Sequence, residues 1–226
     1  MKKSLFITFL MALSFSGFSQ QMETRQVGSF RGVKSSQAID VYLKKGDKEE
    51  VKVEVTGGKL SDVLTEVSGN SLRIHMRDGS YKRVNVKVYV TYINMEKISA
   101  SSASNIFSEG RIKATSMTIN ASSAGSVEVG IEAESVLADA SSAGNIQLEG
   151  KSKHVEAEAS SAGDVDAYNL ESEIVSAQAS SGGSVKISVS KELDGHASSG
   201  GSIKYRGNPS KTNTGSSSGG SVKKAN

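Results

Sequence analysis

One short phrase is rewritten seven times along the chain, and that repetition constrains the fold more than any other feature. The copies begin at Ala100 (ASSASNIF), Ala121 (ASSAGSVEV), Ala140 (ASSAGNIQL), Ala159 (ASSAGDVDA), Ala179 (ASSGGSVKI), Ala197 (ASSGGSIKY) and Ser216 (SSSGGSVKK), at spacings of 21, 19, 19, 20, 18 and 19. A period near 20 is the signature of stacked repeats. Within one copy, Ile119, Ala121, Ser123, Gly125, Val127, Val129 and Ile131 share one parity; Thr118, Asn120, Ser122, Ala124, Ser126 and Glu128 share the other. Alternation of apolar and polar residues marks a strand with one buried face. A helix would need apolar residues three and four apart, and valines beside glycines form helices poorly.

Each copy therefore reads as a strand, a Ser/Gly bend, a second strand and a looser polar turn, as at 132–135, 150–153 and 190–192. One such coil cannot bury its own apolar face. Stacked coils can, because each pairs its backbone groups with neighbours about 4.8 Å away. The expected fold is all-β: a parallel β-solenoid with about 19 residues per coil and six to seven coils over residues 98–224, a rod of about 30 Å. Right-handed winding is favoured by the general hand of parallel crossovers. Equivalent residues should form columns. The alanines 121, 140, 159, 179 and 197 are expected inside, as is the second serine of each motif (Ser102, Ser123, Ser142, Ser161, Ser181, Ser199, Ser218). Glycines 125, 144, 163, 183, 201 and 220 are expected to supply backbone angles closed to other residues. Ser104 replaces the glycine in the first copy.

The domain organisation expected is an export signal at 1–19, an irregular β N-terminal part at 20–99 capping the solenoid, and repetitive coils at 100–226. Residues 38–43, 51–55, 71–76 and 84–90 alternate like strands, and 60–64 reads as a short helical turn. KSSQAIDVYL at 34–43 reads as a worn motif copy, one residue short. Lys223 and Lys224 would protect the open last edge from further pairing. At the start, Lys2 and Lys3 precede an apolar run at 5–15, and Gly17 and Ser19 suit cleavage after Ser19. The run is shorter than the roughly 20 residues a spanning helix needs. The expected location is outside the cytoplasm: periplasm, cell surface or medium, with no transmembrane segment in the mature chain.

The chain has no cysteine, which removes disulfides, thiol chemistry and a lipid-attachment cysteine. Net charge is +3, but residues 109–173 carry twelve acidic and four basic side chains, and 186–226 carry two and seven. No stretch combines the basic charge and aromatics of a nucleic-acid surface.

The signal peptide, the early strand AIDVYLKKG and the serial SSAGxV bends resemble a bacterial family, putative auto-transporter adhesin, head GIN domain, over residues 28–205. The signal ending FSQ is similar to exported proteins of the Bacteroidetes. The resemblance implies a β-helical fold, export and an adhesin-like role, and it supplies no catalytic residues. Autotransporters end in a membrane barrel. Here the repeat still runs at Asn226, so passage through a barrel of its own is not expected.

His75, His154 and His196 have no evident catalytic partner, and the serines fit columns better than one activated nucleophile. The outward column Glu128, Gln147, Asp166, Lys186, Lys204, Lys223 passes from acidic to basic and offers a flat face for a glycan or a neighbouring rod. Asp164 and Asp166 face outward together, as do Glu156 and Glu158 with Asp139. Such carboxylates suit acid–base work or Ca²⁺, or a plain solvated face. The outward serines form a hydroxyl ladder that could order water. The expectation is a non-enzymatic protein with no catalytic or metal site and no cofactor. Ligand-binding candidates are Asp164, Asp166, Glu158, Lys186 and Lys204, and the partner a glycan or cell-envelope component. The alternatives are a carbohydrate-active enzyme using Asp164, Asp166 and Glu158, and a structural module forming homo-oligomers.

Overall fold

The alternating stretches stack in register. The computed structural model describes residues 20–225, with sixteen strands in one hydrogen-bonded system and no α-helix among them. The expected export signal at 1–19 lies outside the described residues. In chain order the strands are β1 (Gln20–Arg25), β2 (Gly32–Ser35), β3 (Asp40–Lys45), β4 (Glu50–Thr56), β5 (Val63–Ser68), β6 (Ser71–Met76), β7 (Asn85–Tyr92) and β8 (Lys97–Ala100). They continue with β9 (Asn105–Ala121), β10 (Ser126–Ala140), β11 (Asn145–Ala159), β12 (Asp164–Ala179), β13 (Ser184–Ala197), β14 (Ser202–Arg206), β15 (Lys211–Ser216) and β16 (Ser221–Lys224). From β8 onward every pairing is parallel, each coil on the next, so the fold is a parallel β-solenoid of about seven coils of about 19 residues.

Interior columns are dominated by small and β-branched residues, with leucines and methionines such as Met117, Leu148, Leu170 and Leu193 among them. Val127, Ile146, Val165, Val185 and Ile203 stack in register and are fully buried. Ala100, Ala121, Ala140, Ala159, Ala179 and Ala197 form the alanine column, each no more than 2% exposed. The narrow interior explains the low aromatic content of 5%.

The tight bends differ from expectation in two respects. The second serine of each motif points outward, because it and the next residue both turn left-handed: Ser123 and Ala124 have φ of 49° and 60°, and the bend closes with Gly125 N–H donating to Ser122 O at 2.8 Å. The motif glycine faces inward and has no left-handed φ. It is there because the previous coil passes too close for a side chain: a Cβ on Gly144 would lie 2.2 Å from Ala121 O. The bends also bond to one another along the axis. Ala103 N–H donates to Ser123 O, Ala124 N–H to Ser142 O and Ala143 N–H to Ser161 O, each at 3.1 Å. Ser104, in the glycine column, is fully buried, and its hydroxyl donates to Ser35 O at 2.9 Å while accepting from Ser101 N–H.

The expected loose polar turns are not turns. Residues 132–135 lie within β10 and stay in register with Lys151, Ser152 and His154. From β9 to β13 each coil thus has one tight bend and one long strand that bends near its middle, whereas in the last coil residues 207–210 separate β14 from β15.

The N-terminal part repeats the coil in a different chain order. β2 and β3 pair in parallel with β8 and β9, with Ser35 opposite Ala100 and Asp40 opposite Asn105. Gln37 and Ala38 take φ of 66° and 55°, matching Ser102 and Ala103, so KSSQAIDVYL is a copy of full length, not one residue short. β6 and β7 pair in parallel on the far side of β2 and β3. Beyond them β5 and β4 run antiparallel, and β1 closes on β4. Arg25 ties this end together, donating to Val63 O at 2.7 Å and Leu60 O at 2.8 Å. The expected helical turn at 60–64 is a 3₁₀ turn over Leu60–Asp62, after which β5 begins.

Candidate functional site

The bends opposite the tight turns leave a concavity of about 1710 Å³ running along the solenoid, from Met95 and Lys97 to Gly207 and Asn208. Its construction follows from stacking. Three adjacent columns line it. The middle one holds Ala114, Ala133, Ser152 and Ser172, and small side chains there leave the depression open. Ser152 and Ser172 are buried, and their hydroxyls donate to His154 O at 2.9 Å and Leu170 O at 3.1 Å.

Charged columns flank this floor. Parallel register brings equivalent residues about 4.8 Å apart, where like charges repel. The chain alternates their sign instead. On one side run Lys113, Glu132, Lys151 and Glu171, with Lys113–Glu132 and Lys151–Glu171 ion pairs both at 3.1 Å. On the other, Glu134 pairs with Lys153 at 2.9 Å and Glu173 with Lys191 at 2.5 Å. The hydrogen bond and charge of Lys153 hold the Glu134 carboxyl below its usual range, and Lys191 does the same for Glu173. Within one coil the two flanking charges have the same sign. The groove is therefore crossed by an acidic band (Glu132, Glu134), a basic band (Lys151, Lys153) and a second acidic band (Glu171, Glu173).

These bands are written in the sequence as EAE, KSK and ESE at 132–134, 151–153 and 171–173. Reading them as turns hid them. A second feature, also missed, is a ladder of aromatic rings on the outside of β7, β3 and β9. Tyr42 stacks between Tyr89 and Phe107, with ring centroids 5.3 and 5.4 Å away and interplanar angles of 20° and 23°. Lys52 Nζ stands 5.6 Å from the Tyr89 ring. The motif copies before β3 and β9 align Tyr42 with Phe107 once the first is read at full length, but β7 carries no copy by which to place Tyr89 beside them.

The ladder continues into the expected outward column. Phe107, Glu128, Gln147, Asp166, Lys186, Lys204 and Lys223 are in register. Lys186 bridges Asp166 at 3.1 Å and Asp164 at 3.8 Å; its hydrogen bond to Asp166 raises the lysine pKa against some desolvation. Lys204 is exposed on the same face. Glu158 lies before the tight bend, in a shallow depression with Asp139, Gln178 and His196, while Asp164 and Asp166 lie after it. Among the described residues no cluster of three or more His, Cys, Asp or Glu could hold a metal ion. His196 contacts Asp194 at 2.9 Å, His75 Nδ1 lies 3.0 Å from Met76 O, and His154 is exposed. No helix among the described residues is long and apolar enough to cross a membrane.

Comparison with solved structures shows the same architecture elsewhere. The chain is similar to a putative adhesin from Bacteroides fragilis (TM-score 0.84, 17% identity, covering 92% of this chain and 97% of that one). It is also similar to a putative adhesin from Parabacteroides merdae (TM-score 0.75, 14% identity, 92% and 96% covered). A putative lipid binding protein from Parabacteroides distasonis gives a TM-score of 0.72 at 16% identity, with 92% and 97% covered. At these identities the likeness is one of fold. Among curated proteins none matches the sequence. A family model does, over residues 29–209, and the chain belongs to that family, described as "Putative auto-transporter adhesin, head GIN domain".

Proposed function

We propose that this protein is an exported, non-enzymatic solenoid that binds a glycan or another cell-envelope component along its groove. The observation that carries the reading is the groove itself. It crosses successive coils, is lined by hydroxyl, carboxylate and ammonium groups, and follows the axis as an extended ligand would. Contacts repeated coil by coil are individually weak and add through avidity. In this reading the signal at 1–19 is removed on export and the protein acts in the periplasm, at the cell surface or in the medium. Residues 20–99 then serve as the N-terminal cap of the solenoid. Asp166, Lys186 and Lys204 on the outward column provide a second, flatter contact face.

The test is a glycan array probed with the purified protein, followed by two groove-filling variants. Ala133 is half-buried on the floor and Thr115 exposed on the rim. Ala133→Phe and Thr115→Trp should each abolish the hits while far-UV circular dichroism is unchanged. Hits untouched by both would place binding off the groove and refute this reading. Incubation of each hit should release no new reducing ends or unsaturated sugars. Their appearance, and loss on changing Glu158, Asp164 or Asp166 to the amides, would make the protein an enzyme.

A further inference from the structure

The charge pattern of the groove narrows the chemistry of its ligand, given that the groove is the binding site. Three successive levels, at Ala133, Ser152 and Ser172, each present two charges of one sign, one on either side of the floor, and the sign inverts from one to the next, about 4.8 Å away. A uniformly anionic polymer lying there meets the basic band of Lys151 and Lys153 and the acidic bands on both sides, so attraction and repulsion cancel. A uniformly cationic polymer fares no better. A ligand whose own charge alternates at one coil spacing meets opposite charge at all three of these levels.

We propose that the groove recognises zwitterionic groups, in which an ammonium and a phosphate or carboxylate are separated by a short bridge. The anion sits over Lys151 and Lys153, and the ammonium over Glu132 and Glu134 or over Glu171 and Glu173. Such a ligand offers the lysines a charge-assisted hydrogen bond to an oxyanion and the carboxylates one from N–H donors. The present partners are easily exchanged. All four ion pairs are solvent-exposed, with side-chain exposures of 43–74%, and such pairs contribute little in water. Because acidic bands flank the basic band on both sides, the ammonium has two equivalent seats. A polymer repeating the zwitterion every second coil can occupy successive bands at once.

The experiment uses dextran displaying phosphoethanolamine groups, with ethanolamine-dextran, phosphate-dextran and bare dextran beside it, and surface plasmon resonance as the readout. The phosphoethanolamine polymer should bind at least about tenfold more tightly than either singly charged polymer. Lys151→Gln with Lys153→Gln, which leaves no new repulsion, should remove that preference. Lys151→Glu with Lys153→Glu merges three acidic bands and should turn the preference toward ethanolamine-dextran. Equal binding of zwitterionic and singly charged polymers, or no effect of either lysine pair, overturns the inference. Binding of bare dextran that is lost in Ala133→Phe overturns it too, while leaving the groove as the ligand site. Binding of every polymer unchanged in Ala133→Phe overturns both. Vesicles of phosphatidylethanolamine separate two sources of the same chemistry: preference for the vesicles assigns a lipid headgroup, preference for the dextran a substituted glycan.

Discussion

Gly182 and Gly183 are neighbours in one bend, and alanine at the two positions should have very unequal consequences. A Cβ on Gly183 would lie 2.3 Å from Ala159 O, 2.5 Å from Ala159 C and 2.9 Å from Ser160 N. All three are backbone atoms of the coil above, so no side chain can rotate away. Restoring ordinary contact requires the coils to part by about 1 Å. The bonds on either side, Ser180 N–H to Ala159 O and Ser184 N–H to Gly163 O, are both 2.9 Å and would be broken by that separation. Two buried backbone bonds lost without replacement cost about 1–3 kcal/mol each, so Gly183→Ala should destabilise by about 2–6 kcal/mol. Gly182 has φ of +74° and nothing within 4 Å of its would-be Cβ. Its equivalents Ala124, Ala143 and Ala162 already carry alanine at φ of 60°, 59° and 61°. The left-handed strain of about 1–2 kcal/mol is partly offset by the reduced freedom of the unfolded chain, so Gly182→Ala should cost about 1 kcal/mol. Urea unfolding followed by far-UV circular dichroism reads both. Equal losses, or a larger loss for Gly182→Ala, would refute the close-approach account of the glycine column.

Ser35 occupies the alanine column with a buried hydroxyl that has no hydrogen-bond partner among the described residues; Ser35→Ala should stabilise by about 1 kcal/mol, read as a raised urea midpoint. Tyr42→Ala breaks both ring stacks and should cost about 1–3 kcal/mol, with Tyr89→Ala costing less because it breaks one; equal losses would argue against the ladder. The lowered carboxyl pKa values of Glu134 and Glu173 mean that their stabilising contribution is present above the usual value of 4.5 and is lost as pH falls through the lower folded value. Lys186, raised chiefly by its hydrogen bond to Asp166, contributes below 10.5 and loses that contribution as pH rises through its folded value. Thermal midpoints across pH should therefore fall at both extremes, and Lys186→Met should lessen the alkaline fall while leaving the acid side unchanged.

The solenoid was legible because its interior columns repeat in one dimension: Val127, Ile146 and Val165 recur at the period at which they stack. The outward alternation was legible for the same reason, and Glu128 through Lys223 fell into one column as expected. What escaped were features set by neighbours in the third dimension. Ser123 shares the parity of Ala121 and Val127, yet the two left-handed residues between those strands break the parity and turn it outward. The glycine at 144 looks the same in sequence whether it supplies an angle or a clearance, and only the position of Ala121 O tells which. Charged residues at 132–134 looked like a turn because polarity marks solvent exposure, and an exposed strand is as polar as a loop. The order of the N-terminal rungs was hidden because β6 and β7 carry no copy of the motif.

That rung order governs how the chain can fold. In the body each coil needs only the coil before it, so β10 to β13 can be laid down one after another, as in any linear array. At the N-terminus the rung of β2 and β3 is sandwiched between β6–β7 on one side and β8–β9 on the other, and β3 must wait for Asn105 to arrive opposite Asp40. The first rungs therefore close over long loops, a slow entropic step, before the remaining coils add by local contacts. The protein should assemble like a polymer with a costly nucleus at one end and cheap elongation toward the other. Shortening it from the C-terminal side should remove coils singly, whereas opening the β2–β8 pairing should prevent every coil from starting.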